Sequence, residues 1–312
     1  MSNTYSGDKS IAKLVILQKY LWAYKRILDN NWEQDLWYVD THAGNGVTEL
    51  PDYRLNIAGS PIRALEYDFD AYYLYEIDSG HWQSLCDAIE ERLGIELSFG
   101  TLDTGEEYAI RGSDPRILIH NMDSMDGVDW LIENGNSYKH WFTFVDPEGL
   151  NDLEWDLLRK LINRGNTDIL YNFQTSGIVR NSTDGAEHAH QALEDAVGED
   201  VPRNRSQDFY VQWFRENKIE PLDYHTASRK MTSRGSSNWR YDLIFASGNE
   251  TAVNNVMEDI MQNEDTLRAD VVEEIQETRE RANDPQGAFD SRLRFEEHGS
   301  ESEMSQSGLY EY

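Results

Sequence analysis

The chain has 312 residues, with 58 acidic and 28 basic side chains and a formal net charge of −30. At 39% hydrophobic and 12% aromatic residues it can bury a large core, which argues against a disordered acidic chain. Only one cysteine is present, Cys86, which excludes a disulfide framework and a cysteine-ligated metal cluster within the chain.

Only eight of the basic residues are lysine. Acid-rich, lysine-poor usage spread over the whole length reads as a surface adapted to high salt. There carboxylates keep the protein hydrated and their mutual repulsion is screened. Net charge therefore does not exclude a nucleic-acid substrate. The polar start, Met1 to Gly7, is unlike a signal peptide, and no apolar run approaches the ~20 residues of a membrane span. A cytoplasmic protein is expected.

In chain order, residues 9–30 predict a helix, with Ile11, Leu14, Val15, Tyr20, Leu21, Tyr24 and Leu28 at helical spacing. Lys9, Lys13, Lys19 and Lys25 lie in it, half of all the lysines. They read either as a solvated face paired with neighbouring acids or as a docking face for a polyanion. A first strand follows at 36–39 and runs into Asp40-Thr41-His42-Ala43-Gly44-Asn45-Gly46. An acid at a strand tip, then Gly-x-Gly, is how an open α/β sheet lets its backbone approach a nucleoside cofactor. Glycine pairs also mark ordinary turns.

Residues 47–59 read as a long loop. Ser60 suits the N-cap, and Pro61 the first position, of the next helix. A second strand at 71–75 ends at Glu76, where a carboxylate can bind ribose hydroxyls. A third, from 116, runs to Met122 and Asp123. Asp123 either reaches a base amino group or N-caps the following helix. The fourth strand, from 140, ends at Asp146-Pro147-Glu148-Gly149. Proline restricts the residue before it, so Asp146 is held extended at the strand's carboxyl end. A strand at 168–173 precedes a polar loop, 174–181, containing Arg180. Residues 186–235 read as an inserted helical cap, including an Arg/Ser-rich stretch at 228–235, and 241–246 as a final strand. The expected organisation is a Rossmann-like domain over 1–250, an acidic helical extension over 251–284 and a disordered tail over 285–312.

Asp40, Glu76, Asp123 and Asp146 fall at four successive strand tips. With Gly59-Ser60-Pro61 and Asp146-Pro147-Glu148-Gly149, they resemble the three-Cys-motif partner protein (TcmP) family over about residues 9–250. That family is similar to class I methyltransferases dependent on S-adenosylmethionine (SAM). The composition resembles that of haloarchaeal proteins. The family's first motif has Leu-Phe after the acid, where this chain has Thr41 and His42. The resemblance implies a doubly wound, mostly parallel α/β sheet and a SAM site formed by Asp40, His42, Gly44, Gly46, Glu76, Met122 and Asp123. His42 either packs beside the cofactor or is an ordinary loop histidine. No metal site is expected.

For catalysis the resemblance points to Asp146 and Glu148, with Ser60, Pro147 and Arg180 on the substrate side. Amino-group methyltransferases carry a second proline and a stacking aromatic after the strand-4 acid. This chain lacks both there, although Trp239 is a substitute within reach of the reading. Cytosine-C5 methylation is excluded, because no cysteine follows strand 4. There is no Walker-type loop. Two functions remain open: a methyltransferase acting on an amine or oxygen, with nucleic acid among the acceptors, or a non-catalytic module. Either would work with a three-cysteine, radical-SAM-like partner.

The excess of carboxylates predicts marginal stability in dilute buffer and a melting temperature that climbs toward molar salt. A thermal scan across salt concentrations checks this, and a flat profile would count against salt adaptation.

Overall fold

The computed structural model describes residues 8–31, 35–50, 53–135, 138–150, 154–183, 187–198, 201–232, 240–262 and 264–283. The strands are β1 (Leu36–Asp40), β2 (Val47–Leu50), β3 (Leu55–Ala58), β4 (Ala71–Tyr75), β5 (Ser98–Thr101), β6 (Glu107–Arg111), β7 (Arg116–His120), β8 (His140–Val145), β9 (Thr167–Phe173), β10 (His225–Thr232) and β11 (Arg240–Ser247). The helices are α1 (Asp8–Asn31), α2 (Ser60–Ala64), α3 (Ser79–Leu93), α4 (Ser124–Asn134), α5 (Trp155–Arg164), α6 (Thr175–Thr183), α7 (Glu187–Val197), α8 (Gln207–Phe214), α9 (Glu258–Gln262) and α10 (Glu264–Asn283).

Nine strands form one sheet in the order β10-β11-β9-β8-β1-β4-β7-β6-β5. The five central strands, β9-β8-β1-β4-β7, are parallel, and the pairs at both edges are antiparallel. This is the expected α/β fold, a mostly parallel sheet flanked by helices. The parallel strands are buried on both faces, so they read as near-continuous apolar runs such as Leu36-Trp37-Tyr38-Val39. Tyr38, Tyr72, Phe142 and Phe144 face one core with α1, α3 and α10. Trp37, Tyr73, Trp141 and Tyr171 face the other with α4, α5 and α8. The chain winds outward from β1 through β4 to β7, then returns to β8 on β1's other side. That reversal falls at the carboxyl ends of β1 and β8, where such sheets usually hold a ligand crevice.

Four sequence expectations change. The 47–59 loop is the hairpin β2–β3, whose Leu50 and Ile57 reach the core. The 174–181 loop is mostly helix α6. The cap drawn over 186–235 contains α7 and α8, but residues 228–232 of its Arg/Ser-rich stretch belong to β10, paired residue for residue with β11, and 233–235 lie outside the described residues. Ala227 and Met231 of β10 face the core, and Arg229 between them lies on the same face and donates to the Met261 carbonyl, so a strand is hidden in a polar stretch. Helix α1 leaves less of a solvated face than expected. Ile11, Leu14, Ile16, Leu17, Tyr20, Leu21 and Tyr24 are all buried, covering nearly its whole circumference. Its lysines with described side chains turn inward: Lys13 pairs with Asp146, Lys19 with Asp270, and Lys25 lies over the Phe69 ring. That favours pairing with acids over polyanion docking.

The segment beginning at 251 shares the α1 core, with Val253, Met257, Leu267, Val271 and Ile275 buried in it. The 285–312 tail lies outside the described residues. Among the described residues, no helix is long and apolar enough to cross a membrane.

Arg63 of α2 ties this layer together. It is fully buried and donates to the Ala58 carbonyl (2.9 Å), to Gln18 of α1 and to Glu274 of α10 (2.8 Å). Removing one partner of a buried pair leaves the other charge uncompensated. Arg63→Ala should therefore cost about 3–5 kcal/mol, read as a lower urea midpoint, whereas a change under about 1 kcal/mol would show that water replaces the pair.

Candidate functional site

The turn after β1 spans the switch point. Thr41 N–H donates to the Phe144 carbonyl at the end of β8 (3.1 Å), and Ala43 N–H to the Tyr75 carbonyl at the end of β4 (2.9 Å). The turn is thus stretched between the strands on either side of β1. The two glycines have different reasons. Gly46 has φ +80°, and a Cβ there would press on Ile62 and Leu85 at 3.3 and 3.2 Å. Its carbonyl accepts from Gly59 N–H at 2.8 Å, so helix packing accounts for it. Gly44 has φ +63° and nothing within 4 Å of where a Cβ would stand. Only Gly44 borders open space.

Glu76 braces that opening. Its carboxylate accepts from Gly44 N–H (2.9 Å) and Asp78 N–H (2.7 Å), one per oxygen. A carboxylate has about four acceptor positions, so capacity remains for a ligand's hydroxyls. Ile77 follows directly and is 68% exposed. The Asn121 amide donates to the carbonyls of Glu76 (2.9 Å) and Ile77 (3.0 Å), which holds this apolar side chain beside the acid. The sequence reading missed Ile77. Its signal was an isoleucine between two acids just after a buried strand. Asp123 does N-cap α4, accepting from Met125 N–H at 2.8 Å. Met122 is buried in the core beneath α4.

Asp40 is enclosed. It is fully buried, and it accepts from the Tyr38 hydroxyl (2.9 Å), His42 N–H (3.3 Å) and the Ser60 side chain. The chain's own donors, two of them hydroxyls, occupy it. Ser60 is likewise not an N-cap. Helix α2 starts at Ser60, Gly59 holds the cap position, and the hydroxyl serves Asp40 instead. His42 is half-buried, its Nδ1 lying 2.8 Å from Thr41 Oγ1.

Across the crevice, Asp146 stands at the end of β8. Lys13 of α1 donates to Oδ2, and Asn172 of β9 donates to Oδ1 at 2.7 Å. The Pro147 carbonyl accepts from Gln174 at 3.0 Å, which fixes the strand exit. Glu148 and Arg180 are exposed, Arg180 on α6. Among the described residues, Asp146 accepts hydrogen bonds from Lys13 and Asn172. Trp239 lies outside the described residues. Lys13 was unforeseen as a partner, being 133 positions from Asp146. Its signal was a charge reversal on a helix too apolar to be exposed.

No group of three His, Cys, Asp or Glu suited to a metal occurs among the described residues. Cys86 is buried in α3, and burial pushes its thiol up to about 12, so it is no nucleophile here.

No protein-family model matches the sequence, and no curated protein matches it. Similar architectures occur among solved structures. Trm1 from Pyrococcus horikoshii, solved with S-adenosyl-L-methionine, is 12% identical with a TM-score of 0.45, over 80% of this chain and 57% of that one. This chain therefore spans little more than half of Trm1's length. LPL1258 from Legionella pneumophila, of family DUF519, is 10% identical with a TM-score of 0.49, over 86% and 94% of the two chains. The plantazolicin methyltransferase BpumL, solved with SAH, is 9% identical with a TM-score of 0.34, over 78% and 88%.

Burial raises Asp40 to about 7, and the nearby Asp146 charge adds to the effect. A carboxyl that titrates higher folded than unfolded loses its contribution to stability as pH rises, here from about 4 to about 7. Asp40→Asn carries no such loss. Its stability relative to the natural protein should rise by about 2 kcal/mol between pH 5 and pH 8. Urea unfolding at both pH values reads this, and a constant difference would mean that Asp40 stays ionised in the fold.

Proposed function

We propose that this protein is a SAM-dependent methyltransferase. The observation that carries the reading is the pairing, across one switch-point crevice, of the open Gly44 turn braced by Glu76 with the carboxylate of Asp146. The donor set fits the cofactor. Glu76 would take the ribose hydroxyls, Ile77 would lie against the adenine, and Asp123 would reach its amino group with the oxygen left free by its cap. Gly44 and Gly46 shape the turn, His42 would border the cofactor, Met122 would pack on the adenine side from the core beneath α4, and Asp40 supports the turn from beneath. When bound, SAM would supply an electrophilic methyl group. Asp146, with its backbone restricted by Pro147, would orient or deprotonate the acceptor, an amine or an oxygen. Glu148, Ser60 and Arg180 are assigned to the substrate side.

We also infer membership of the three-Cys-motif partner family and a haloarchaeal origin. The three ordered motifs support the first, and the acid-rich, lysine-poor composition supports the second. The partner would be a three-cysteine-motif, radical-SAM-like protein, and nucleic acid is among the candidate acceptors. The missing second proline and stacking aromatic favour a partner that completes the pocket.

A second reading, a non-catalytic module with a methyltransferase-like fold, is favoured by the engagement of both Asp146 oxygens within the chain.

Two results separate the readings. Glu76→Ala should weaken SAM binding by about ten- to a hundredfold, since unpaired ribose hydroxyls cost about 1–3 kcal/mol. Calorimetry in molar salt reads this, and unchanged affinity would remove Glu76 from the site. Asp146→Asn should bind SAM normally and lose label transfer to nucleic acid or partner. Transfer at the unmodified rate would end its catalytic assignment, and tight SAM binding without transfer by any preparation would favour the non-catalytic module.

A further inference from the structure

The acceptor end of the crevice holds a charge pair rather than a lone acid. Lys13 and Asp146 keep only 15% and 19% of their side chains exposed, so water screens them poorly. Each Asp146 oxygen already accepts one donor, Lys13 on Oδ2 and Asn172 on Oδ1. The neighbouring acid, Asp40, is closed off, its oxygens turned to Tyr38, Ser60 and the His42 backbone. Any acceptor that reaches Asp146 therefore meets the Lys13 ammonium.

We propose that Lys13 determines specificity at this site and that the acceptor it selects is a hydroxyl oxygen rather than an amine; this rests on the methyl-transfer reading. An amine gains positive charge as it attacks a methyl group, and the ammonium opposes that. A hydroxyl gains negative charge as its proton leaves, and the ammonium stabilises that. Lys13 has three N–H donors and uses one on Asp146, which leaves two for an oxygen. The step balances. The hydroxyl proton passes to Asp146, and an oxygen lone pair forms the new C–O bond to the methyl carbon. The C–S bond breaks with its electron pair going to sulfur. The products are a methyl ether, S-adenosylhomocysteine and a protonated Asp146, which releases its proton to solvent.

Ile11, Leu14 and Leu17 already fix this part of α1. Removing Lys13 leaves the Asp146 charge uncompensated and lowers stability, but a purely bracing pair would shift the affinities of both analogues together and leave their ratio unchanged.

The test uses two cofactor analogues and the full chain. S-adenosylhomocysteine lacks the methyl, and sinefungin carries an amine in its place, so the ratio of their affinities reads the charge felt there. The unmodified protein should bind sinefungin no more tightly than S-adenosylhomocysteine. Lys13→Met should keep S-adenosylhomocysteine affinity and tighten sinefungin about tenfold, the order expected when a nearby like charge is removed. Lys13→Arg should restore the original ratio, and Asp146→Asn should weaken sinefungin. If Lys13→Met does not fold, Lys13→Gln carries the same comparison. A tenfold preference for sinefungin in the unmodified protein, or an unchanged ratio without Lys13, would overturn the assignment. Failure of both analogues to bind would instead overturn the methyl-transfer reading beneath it.

Discussion

Helix α1 carries apolar side chains on nearly every face, so it is stable only when covered from two directions. The sheet supplies one cover, through Tyr38, Phe142 and Phe245, and α10 supplies the other, through Leu267, Val271 and Ile275. Much of the rest follows from that demand. Arg63 and Gln18 join the helices that meet around α1, and the β2–β3 hairpin fills the remaining edge. Seated this way, α1 carries Lys13 to the end of β8. A packing requirement thus delivers a cation to the chemically interesting end of the crevice.

The crevice divides its labour by burial. On the β4 side, Glu76 is buried to 9% exposure and organises the Gly44 turn with hydrogen bonds that leave acceptor capacity. In the middle, Asp40 is sealed and serves as an internal fastener between β1 and α2. On the β8 side, Asp146 keeps limited exposure and a paired charge. Three acids at three neighbouring strand tips thus have three electrostatic environments, although the sequence presents them as equivalents.

The central strands were legible because strands buried on both faces are apolar throughout, as in Leu36 to Val39 and Phe142 to Val145. The edges were not. β5 and β6 sit at a sheet margin where Ser98, Thr101 and Glu107 face solvent, so no apolar run announces them. β10 was concealed by arginine and lysine for the same reason. Among site residues, the strand-tip acids and the glycine turn were readable because they are local in the chain. The partnerships were not: whether an acid meets a ligand, a hydroxyl or a lysine depends on contacts such as Lys13 with Asp146, which no spacing rule encodes. Ser60 shows the same limit, since its N-cap signature was sound but a buried carboxylate nearby claimed the hydroxyl.

The contact between α1 and α10 joins residues from opposite ends of the described chain. A ribosome releases α1 first, yet its outer face stays uncovered until α10 emerges more than two hundred residues later. Over that interval, the helix that bears Lys13 is a sticky, half-covered segment that must be shielded from aggregation. The Lys13–Asp146 end of the crevice therefore settles only after α10 has joined, and a chain interrupted before α10 would carry the Gly44 turn without a settled partner for Asp146.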